Sequence, residues 1–99
     1  MNYKIYENKQ ELKEENPALF EIANNNLELD EDDIIYIYTS PEDYAKYYIQ
    51  EGYYAETFVD KELYDFIDYI KLGNDIIRRM DKEENYYDKE TNVVISLTK

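Results

Sequence analysis

The chain has 99 residues with no Cys, His or Trp, and its 24 acidic and 11 basic residues give a net charge of −13. Without thiols or imidazoles it has no disulfide framework, no thiolate zinc site and none of the usual nucleophile–base pairs. So negative a chain repels nucleic acid and anionic membranes, and neither is an expected partner. Hydrophobic residues make up 43% and aromatic residues 16%, which favours a small folded domain over a disordered chain.

The sequence also lacks the signatures of enzymes and targeting segments. It has no glycine-rich phosphate loop and no Gly-x-Ser-x-Gly elbow. Carboxylates alone could serve a glycosidase, but among 24 of them a pair at catalytic spacing carries no information. Residues 30–33 lack the glycine and distal Glu of an EF-hand loop, which favours a solvated loop over a calcium site. With no signal-like segment at residues 1–10, we expect a cytoplasmic protein. The missing chemical motifs predict that it is not an enzyme and that it has no cofactor and no metal.

The first 33 residues predict an acidic, mainly helical segment. Residues 2–6 alternate in polarity and indicate a short strand or a frayed end. Asn16 is a good N-cap and Pro17 suits the first helical position, so a helix is predicted from Pro17 to Ala23. Three asparagines are predicted to stop this helix, and residues 27–33 follow as an acidic connector.

The middle of the chain predicts a strand followed by a helix. Residues 34–39, IIYIYT, are β-branched and aromatic, which is typical of a central strand. Ser40 then serves as N-cap, Pro41 as the first helical residue and Asp43 as the acid of a capping box. The helix that begins there is predicted to end at Gly52.

Residues 56–80 form the longest run with helical periodicity. Four apolar side chains recur at i, i+3, i+4 and i+7 and predict one buried stripe: Leu63, Phe66, Ile67 and Ile70. Asp60 is the predicted N-cap, and Gly73 is predicted to kink or break the helix. Between the apolar residues lies a water-facing row of mutually repelling carboxylates: Glu62, Asp65 and Asp68.

The last segment predicts a hairpin, with strands at residues 85–88 and 93–97. Together the elements predict an α+β fold: a small three-stranded antiparallel sheet with two or three helices packed on one face. Residues 1–33, the acidic helical segment, and residues 34–99, the α+β part, are expected to form one compact unit.

The acidic residues are unevenly distributed along the chain. From residue 14 to residue 43 there are ten acidic residues and no Lys or Arg. Over a globule about 33 Å across, 24 carboxylates amount to about one per 1.4 Å and the net charge to about one per 2.5 Å. These values bracket the one charge per ~1.7 Å of duplex DNA. The density fits a DNA mimic, and it also fits an ordinary acidic, soluble surface.

Tyrosine is the other unusual feature, with 13 Tyr beside three Phe. Phenol hydroxyls need hydrogen-bond partners when buried, so several tyrosines are expected at the surface. Exposed tyrosines among carboxylates are typical of protein-binding surfaces, although an AT-rich coding bias would also raise the Tyr content.

The order of these motifs resembles the C-terminal part of the ArdA antirestriction proteins. The resemblance covers about two thirds of the chain: the strand at residues 34–39, SPEDYAKYYIQE at residues 40–51, Phe66-Ile67-Asp68-Tyr69, Gly73-Asn74-Asp75-Ile76 and the closing hairpin. It implies an acidic DNA mimic that occupies the DNA groove of type I restriction-modification enzymes, with carboxylates in place of phosphates. Members of that family are longer, with further acidic domains ahead of this region, so the target nuclease is left open.

The sequence therefore predicts an inhibitor of a host defence nuclease, with antirestriction as the first expectation. A phage anti-CRISPR protein that blocks the DNA-binding or PAM-binding surface of a CRISPR effector is an alternative. An acidic interaction module without DNA mimicry, such as an antitoxin or adaptor, is a second alternative. The expected partner is a protein, a DNA-binding nuclease or restriction-modification complex, and a homodimer is compatible with this role. The predicted contact residues are ten carboxylates: Asp30, Glu31, Asp32, Asp33, Glu42, Asp43, Asp60, Glu62, Asp65 and Asp68.

Overall fold

The computed structural model describes residues 2–51 and 60–98. It has an α+β fold, as predicted from the sequence. Its elements are β1 (Tyr3–Tyr6), α1 (Lys9–Glu15), α2 (Pro17–Asn26), β2 (Ile34–Tyr38), α3 (Pro41–Gln50), a 3₁₀ helix (Lys61–Phe66), α4 (Tyr69–Arg79), β3 (Asn85–Tyr87) and β4 (Val94–Thr98). None of the helices in the described ranges has the length and apolarity needed to cross a membrane.

The sheet has four antiparallel strands in the order β1-β2-β4-β3, one strand more than predicted. The additional strand is β1, which lies at an edge and pairs with β2 through Ile5 and Tyr36. The predicted hairpin is confirmed as β3 and β4, which pair through Tyr86 and Ile95. Since β2 lies between β1 and β4, the apolar segment at residues 34–39 forms a central strand, as its composition predicts.

Helices cover both faces of the sheet, so the prediction that they pack on one face is wrong. On the first face, α1 and α2 share a core with the sheet that includes Leu12, Ala23, Ile35, Ile37, Ile95 and Leu97. On the second face, α3 and α4 share a core with Tyr38, Tyr44, Ala45, Tyr69, Ile76 and Val94. Successive side chains of a strand point to opposite faces, so β2 supplies isoleucines to one core and tyrosines to the other.

Two of the predicted helix starts are confirmed by their caps. The Asn16 side chain accepts a hydrogen bond from the Leu19 amide at 3.1 Å. The Ser40 hydroxyl accepts one from the Asp43 amide, also at 3.1 Å. The first of these helices, α2, continues through the three asparagines to Asn26 instead of stopping at Ala23. The predicted end of α3 at Gly52 lies outside the described residues.

The region predicted as one helix from Asp60 is divided into two. The 3₁₀ helix ends at Phe66, and Asp68 then caps α4 by accepting a hydrogen bond from the Lys71 amide at 3.1 Å. Asp60 precedes the 3₁₀ helix and makes no side-chain cap. Both aspartates are acceptable cap residues by type, and the structure uses the later one.

This later start changes which side of the helix is buried. The predicted stripe is wrong at three of its four positions, since Leu63, Phe66 and Ile70 are 51%, 83% and 60% exposed. Only Ile67 packs against the second-face core. The buried side of α4 consists instead of Tyr69, Gly73 and Ile76. The predicted kink at Gly73 is also wrong, because α4 is continuous from Tyr69 to Arg79.

The exposure of Phe66 gives a first prediction for stability. Phe66→Ala is expected to change the free energy of unfolding by at most about 0.5 kcal/mol. The Phe66 side chain is already mostly exposed in the folded state, so unfolding exposes little more of its apolar area. Leu12→Ala, at a fully buried position, is expected to cost about 2–5 kcal/mol. Urea unfolding curves of the two variants test this contrast. Equal destabilisation by both would show that Phe66 is packed in solution.

Candidate functional site

The acidic connector before β2 is anchored by buried residues and exposes its carboxylates. Leu27 and Leu29 are buried in the first-face core. Glu28, Asp30, Glu31 and Asp32 are exposed. Alternation of buried leucines and exposed acids therefore fixes which side of the connector faces outward.

Asp33 belongs to the connector's internal framework and not to its exposed surface, contrary to prediction. Its side chain is only 1% exposed, and its Oδ2 accepts a hydrogen bond from the Asp30 amide at 2.9 Å. The Asp33 amide donates to the Asp30 carbonyl at 3.2 Å. Asp33 therefore closes the turn that holds Glu31 and Asp32 outward, while its own carboxylate is inaccessible to a partner.

Glu42 and Asp43 lie at the other end of β2 and have partners within the fold. Asp43 is 9% exposed and accepts a hydrogen bond from the Ser40 hydroxyl at 3.1 Å. Glu42 forms an ion pair with Lys46 at 3.4 Å. The five residues of β2 at about 3.3 Å each separate this pair from the connector by roughly 16 Å. Asp43 is thus buried, and Glu42 is half-exposed and already paired.

The remaining predicted carboxylates lie on the second face of the sheet. Asp60, Glu62 and Asp65 are exposed on and just before the 3₁₀ helix, while Asp68 is used as the cap of α4. Tyr69 fixes this region by donating its hydroxyl hydrogen to the Tyr64 carbonyl at 2.7 Å. The ten predicted residues therefore lie in three places around the domain and do not form one contiguous surface.

The structure adds two acids that the sequence did not associate with the connector. Glu83 and Glu84 follow α4, and the Leu97 amide holds this turn by donating to the Glu84 carbonyl at 2.8 Å. A cleft of about 350 Å³ lies between turn and connector, lined by Asn26, Leu27, Glu28, Asp30, Lys82, Glu83, Glu84 and Leu97. In the sequence, Glu83 and Glu84 are visible only as an acid pair that precedes a strand. Nothing in that pattern indicates that they lie next to the connector.

We call this set the acidic surface: Glu28, Asp30, Glu31, Asp32, Glu83 and Glu84. The Lys82 ammonium, which lines the same cleft, donates to the Ile77 carbonyl at 2.6 Å, and within the described residues it forms no ion pair with Glu28, Glu83 or Glu84. The ion pairs described join Lys4 to Glu15, Lys46 to Glu42, and Arg78 and Arg79 to Asp75, and Asp30 and Lys61 have further interactions. Within the same ranges no group of carboxylates is arranged to hold a metal ion.

Most described tyrosines are packed and not displayed at the surface. Tyr6, Tyr38, Tyr44 and Tyr69 are buried, and Tyr3 alone among those described is classed as exposed. The others are half-buried, several of them around one cavity on the second face. This tyrosine pocket, of about 380 Å³, is lined by Tyr36, Tyr38, Tyr44, Tyr47, Tyr48, Ser96 and Thr98.

The packed tyrosines predict a loss of stability at alkaline pH. Burial, followed by the neighbouring Tyr47, raises the pKa of the Tyr38 phenol above its ordinary value of 10.0, and burial likewise raises the pKa of Tyr44 and Tyr47. Because the folded state disfavours the phenolates, this stability is fully present below about pH 10 and is lost as the pH rises above it. Urea unfolding and phenolate absorbance are measured between about pH 8 and about pH 11. The urea midpoint should fall over the same pH range in which the phenolates form. An unchanged unfolding midpoint over that range would contradict the prediction.

Known proteins provide no assignment for these features. No protein-family profile matches the chain, and no curated protein or solved structure matches it either. The acidic surface and the tyrosine pocket are therefore interpreted from their own geometry and charge.

Proposed function

We propose that the protein inhibits a host defence nuclease by binding its DNA-binding surface as a mimic of DNA charge. The supporting observation is the acidic surface, where two distant segments bring carboxylates together without basic partners for Glu28, Glu31, Asp32, Glu83 and Glu84 among the described residues. Like charges held together destabilise the folded state. Binding to a basic surface relieves that repulsion. We therefore assign to the acidic surface the role of binding the basic, DNA-binding surface of the nuclease.

The size of the domain supports the same proposal. Its principal extents are 39 × 25 × 22 Å, longer than the 33 Å expected for a sphere-like globule. Duplex DNA of that length carries roughly 23 phosphates, against 24 carboxylates in the chain. The number of carboxylates therefore resembles the number of phosphates in about one helical turn of DNA, while the net charge of the chain is −13.

The segment that carries the connector is the most acidic of the three described parts of the chain, since residues 34–51 contain three acidic residues and one basic residue, a net charge of −2. Residues 2–33, which form β1, α1, α2 and the connector, contain ten acidic and three basic residues, a net charge of −7. Residues 60–98 contain ten acidic and six basic residues, a net charge of −4. We propose that the first-face side makes the main contact, and that Asp60, Glu62 and Asp65 add a weaker field on the other side. The ArdA resemblance makes a type I restriction-modification enzyme the first target to test.

Competition for DNA is the decisive test of this function. The protein is expected to displace a labelled duplex containing the recognition site from a type I restriction-modification enzyme, and to leave the duplex unshifted when mixed with it alone. A stable complex of enzyme, duplex and protein together would refute mimicry. So would a mobility shift of the duplex by the protein in the absence of enzyme.

Salt dependence separates mimicry from an ordinary protein–protein contact. The association rate constant is expected to fall steeply with salt, because the Debye length shrinks from about 10 Å at 0.1 M to about 3 Å at 1 M. Stopped-flow or surface-based kinetics across that range measures it. A rate constant that does not respond to salt would favour an interaction module without DNA mimicry.

A further inference from the structure

The tyrosine pocket presents aromatic rings in two orientations. The rings of Tyr36 and Tyr38 are nearly parallel, 17° apart, with centroids separated by 6.2 Å. The Tyr47 ring is tilted by 58° and 56° to these two, at centroid distances of 5.9 and 5.4 Å. The volume of the tyrosine pocket, about 380 Å³, lies in the range of ligand-binding cavities. Several aromatic rings set at different angles around one cavity are the arrangement by which proteins bind organic cations.

Negative charge lies beside this pocket, and no described cation lies over the rings of Tyr36, Tyr38, Tyr44 or Tyr47. Glu51 caps the C-terminus of α3, the negative end of the helix dipole. After the effects of burial and of Tyr36 and Tyr3, its charge also raises the pKa of Tyr47. The cation–π contacts among described residues join Lys4 to Tyr6, Lys13 to Phe20 and Lys46 to Tyr69. None of these places a cation over Tyr36, Tyr38, Tyr44 or Tyr47.

We propose that the tyrosine pocket binds the guanidinium group of an arginine side chain from the protein partner. A guanidinium is planar and weakly hydrated, stacks on aromatic faces and donates several hydrogen bonds, whereas the lysine ammonium is compact and strongly hydrated. The hydroxyls of Ser96 and Thr98 on β4 line the pocket beside the rings. The Ser96 hydroxyl donates to the Asn85 Oδ1 at 2.5 Å and hydrogen-bonds Tyr44, and the Thr98 hydroxyl offers an acceptor oxygen. A neutral aliphatic side chain would gain from neither the rings' charge distribution nor this oxygen.

The position of the pocket relates it to the acidic surface. Leu97 lines the acidic cleft on the first face, and the next residue, Thr98, lines the tyrosine pocket on the second. Both sites therefore lie at the same end of β4, on opposite faces of the sheet. For the identity of its partner this inference rests on the proposed function, since DNA-binding surfaces are rich in arginine. The preference for arginine is testable without that partner.

Hexaarginine and hexalysine peptides carry the same charge and separate guanidinium recognition from general attraction. By isothermal titration calorimetry at one ionic strength, the protein is expected to bind hexaarginine about fivefold more tightly than hexalysine. Tyr36→Leu should abolish that preference and leave the hexalysine affinity within about twofold of its original value, whereas Tyr36→Phe should retain the preference. Equal affinities of the unmodified protein for the two peptides would overturn the proposal.

Matched variants identify the pocket as the source of the preference. Tyr86→Leu changes a half-buried tyrosine that packs on the first face, and should keep the preference. Thr98→Lys places a cation at the exposed rim of the pocket and should abolish the preference even if Tyr36→Leu fails to fold. Asn25→Lys, at an exposed position of α2, adds the same charge elsewhere and should keep it. A preference that survives Thr98→Lys would assign arginine binding to another surface.

These outcomes are distinguishable from failure of the proposed function. Equal peptide affinities would remove the arginine pocket while leaving displacement of DNA by the acidic surface unaffected. Conversely, an arginine preference without any displacement of DNA from the nuclease would keep the pocket and refute mimicry.

Discussion

Replacing Glu28, Glu31 and Asp32 together by Lys is expected to abolish inhibition while leaving the domain folded. The three reversals change the net charge from −13 to −7 and invert the charge of the connector. Because steering by opposed charges raises association rates by about 10- to 1,000-fold, we expect the association rate constant to fall by a factor in that range at low salt. All three side chains are exposed, so the free energy of unfolding should change by no more than about 0.5 kcal/mol per site.

A second triple variant, with Asp60, Glu62 and Asp65 replaced by Lys, controls for net charge. It has the same net charge and exposed positions, but its substitutions lie on the second face. We expect a clearly smaller loss of inhibition than for the connector variant. Inhibition assays and melting curves on both proteins make the comparison. Equal losses would show that overall charge, and not the connector, determines binding.

Asp68 is left out of this control because the structure gives it a second role. Its carboxylate caps α4, so Asp68→Lys would remove a cap worth about 0.5–2 kcal/mol in addition to changing charge. From the sequence, repulsion within the row Glu62, Asp65 and Asp68 predicted that reversal would leave stability unchanged or increase it. That prediction now applies to Glu62 and Asp65 only.

Features set by neighbouring residues could be predicted from the sequence. Ser40 and Asn16 cap their helices through amides three residues away, so a short stretch of sequence contains the whole signal. The strand at residues 34–39 was equally clear, because a β-branched and aromatic run suits a central strand in any fold. The same run also indicated that both faces of the strand are covered. An antiparallel strand with one face in water alternates apolar and polar side chains, and this run does not.

Features that depend on where an element begins, or on distant contacts, could not be predicted. Asp60 and Asp68 are both suitable caps, and helical periodicity does not choose between the stripe of Leu63 and Phe66 and the stripe of Tyr69 and Ile76. The burial of Asp33 follows from a turn that only its hydrogen bond to the Asp30 amide defines. The approach of Glu83 and Glu84 to the connector follows from pairing of β2 with β4, which joins residues far apart in the sequence, such as Ile35 and Leu97.

Gly73→Ala is expected to cause a large loss of stability, because α4 crosses α3 at this position. A Cβ at residue 73 would lie 2.3 Å from the Pro41 carbonyl oxygen and 2.6 Å from its carbon. These are backbone atoms at the start of α3 and cannot move aside as a flexible side chain would. The helices must separate, at a cost of about 3 kcal/mol or more, against a gain of about 1 kcal/mol in helix propensity.

The net loss of about 2 kcal/mol or more corresponds to a fall in melting temperature of roughly 8–16 °C for a domain of this size. Asn74→Ala is the matched control, because Asn74 is the exposed neighbour of Gly73 on the same helix. That substitution should leave the melting temperature unchanged or raise it slightly through helix propensity. Thermal unfolding followed by circular dichroism compares the two variants. If Gly73→Ala has the same melting temperature as the unmodified protein, the close crossing of α3 and α4 is not present in solution. The packing that positions Tyr44 and Tyr47 would then be absent as well.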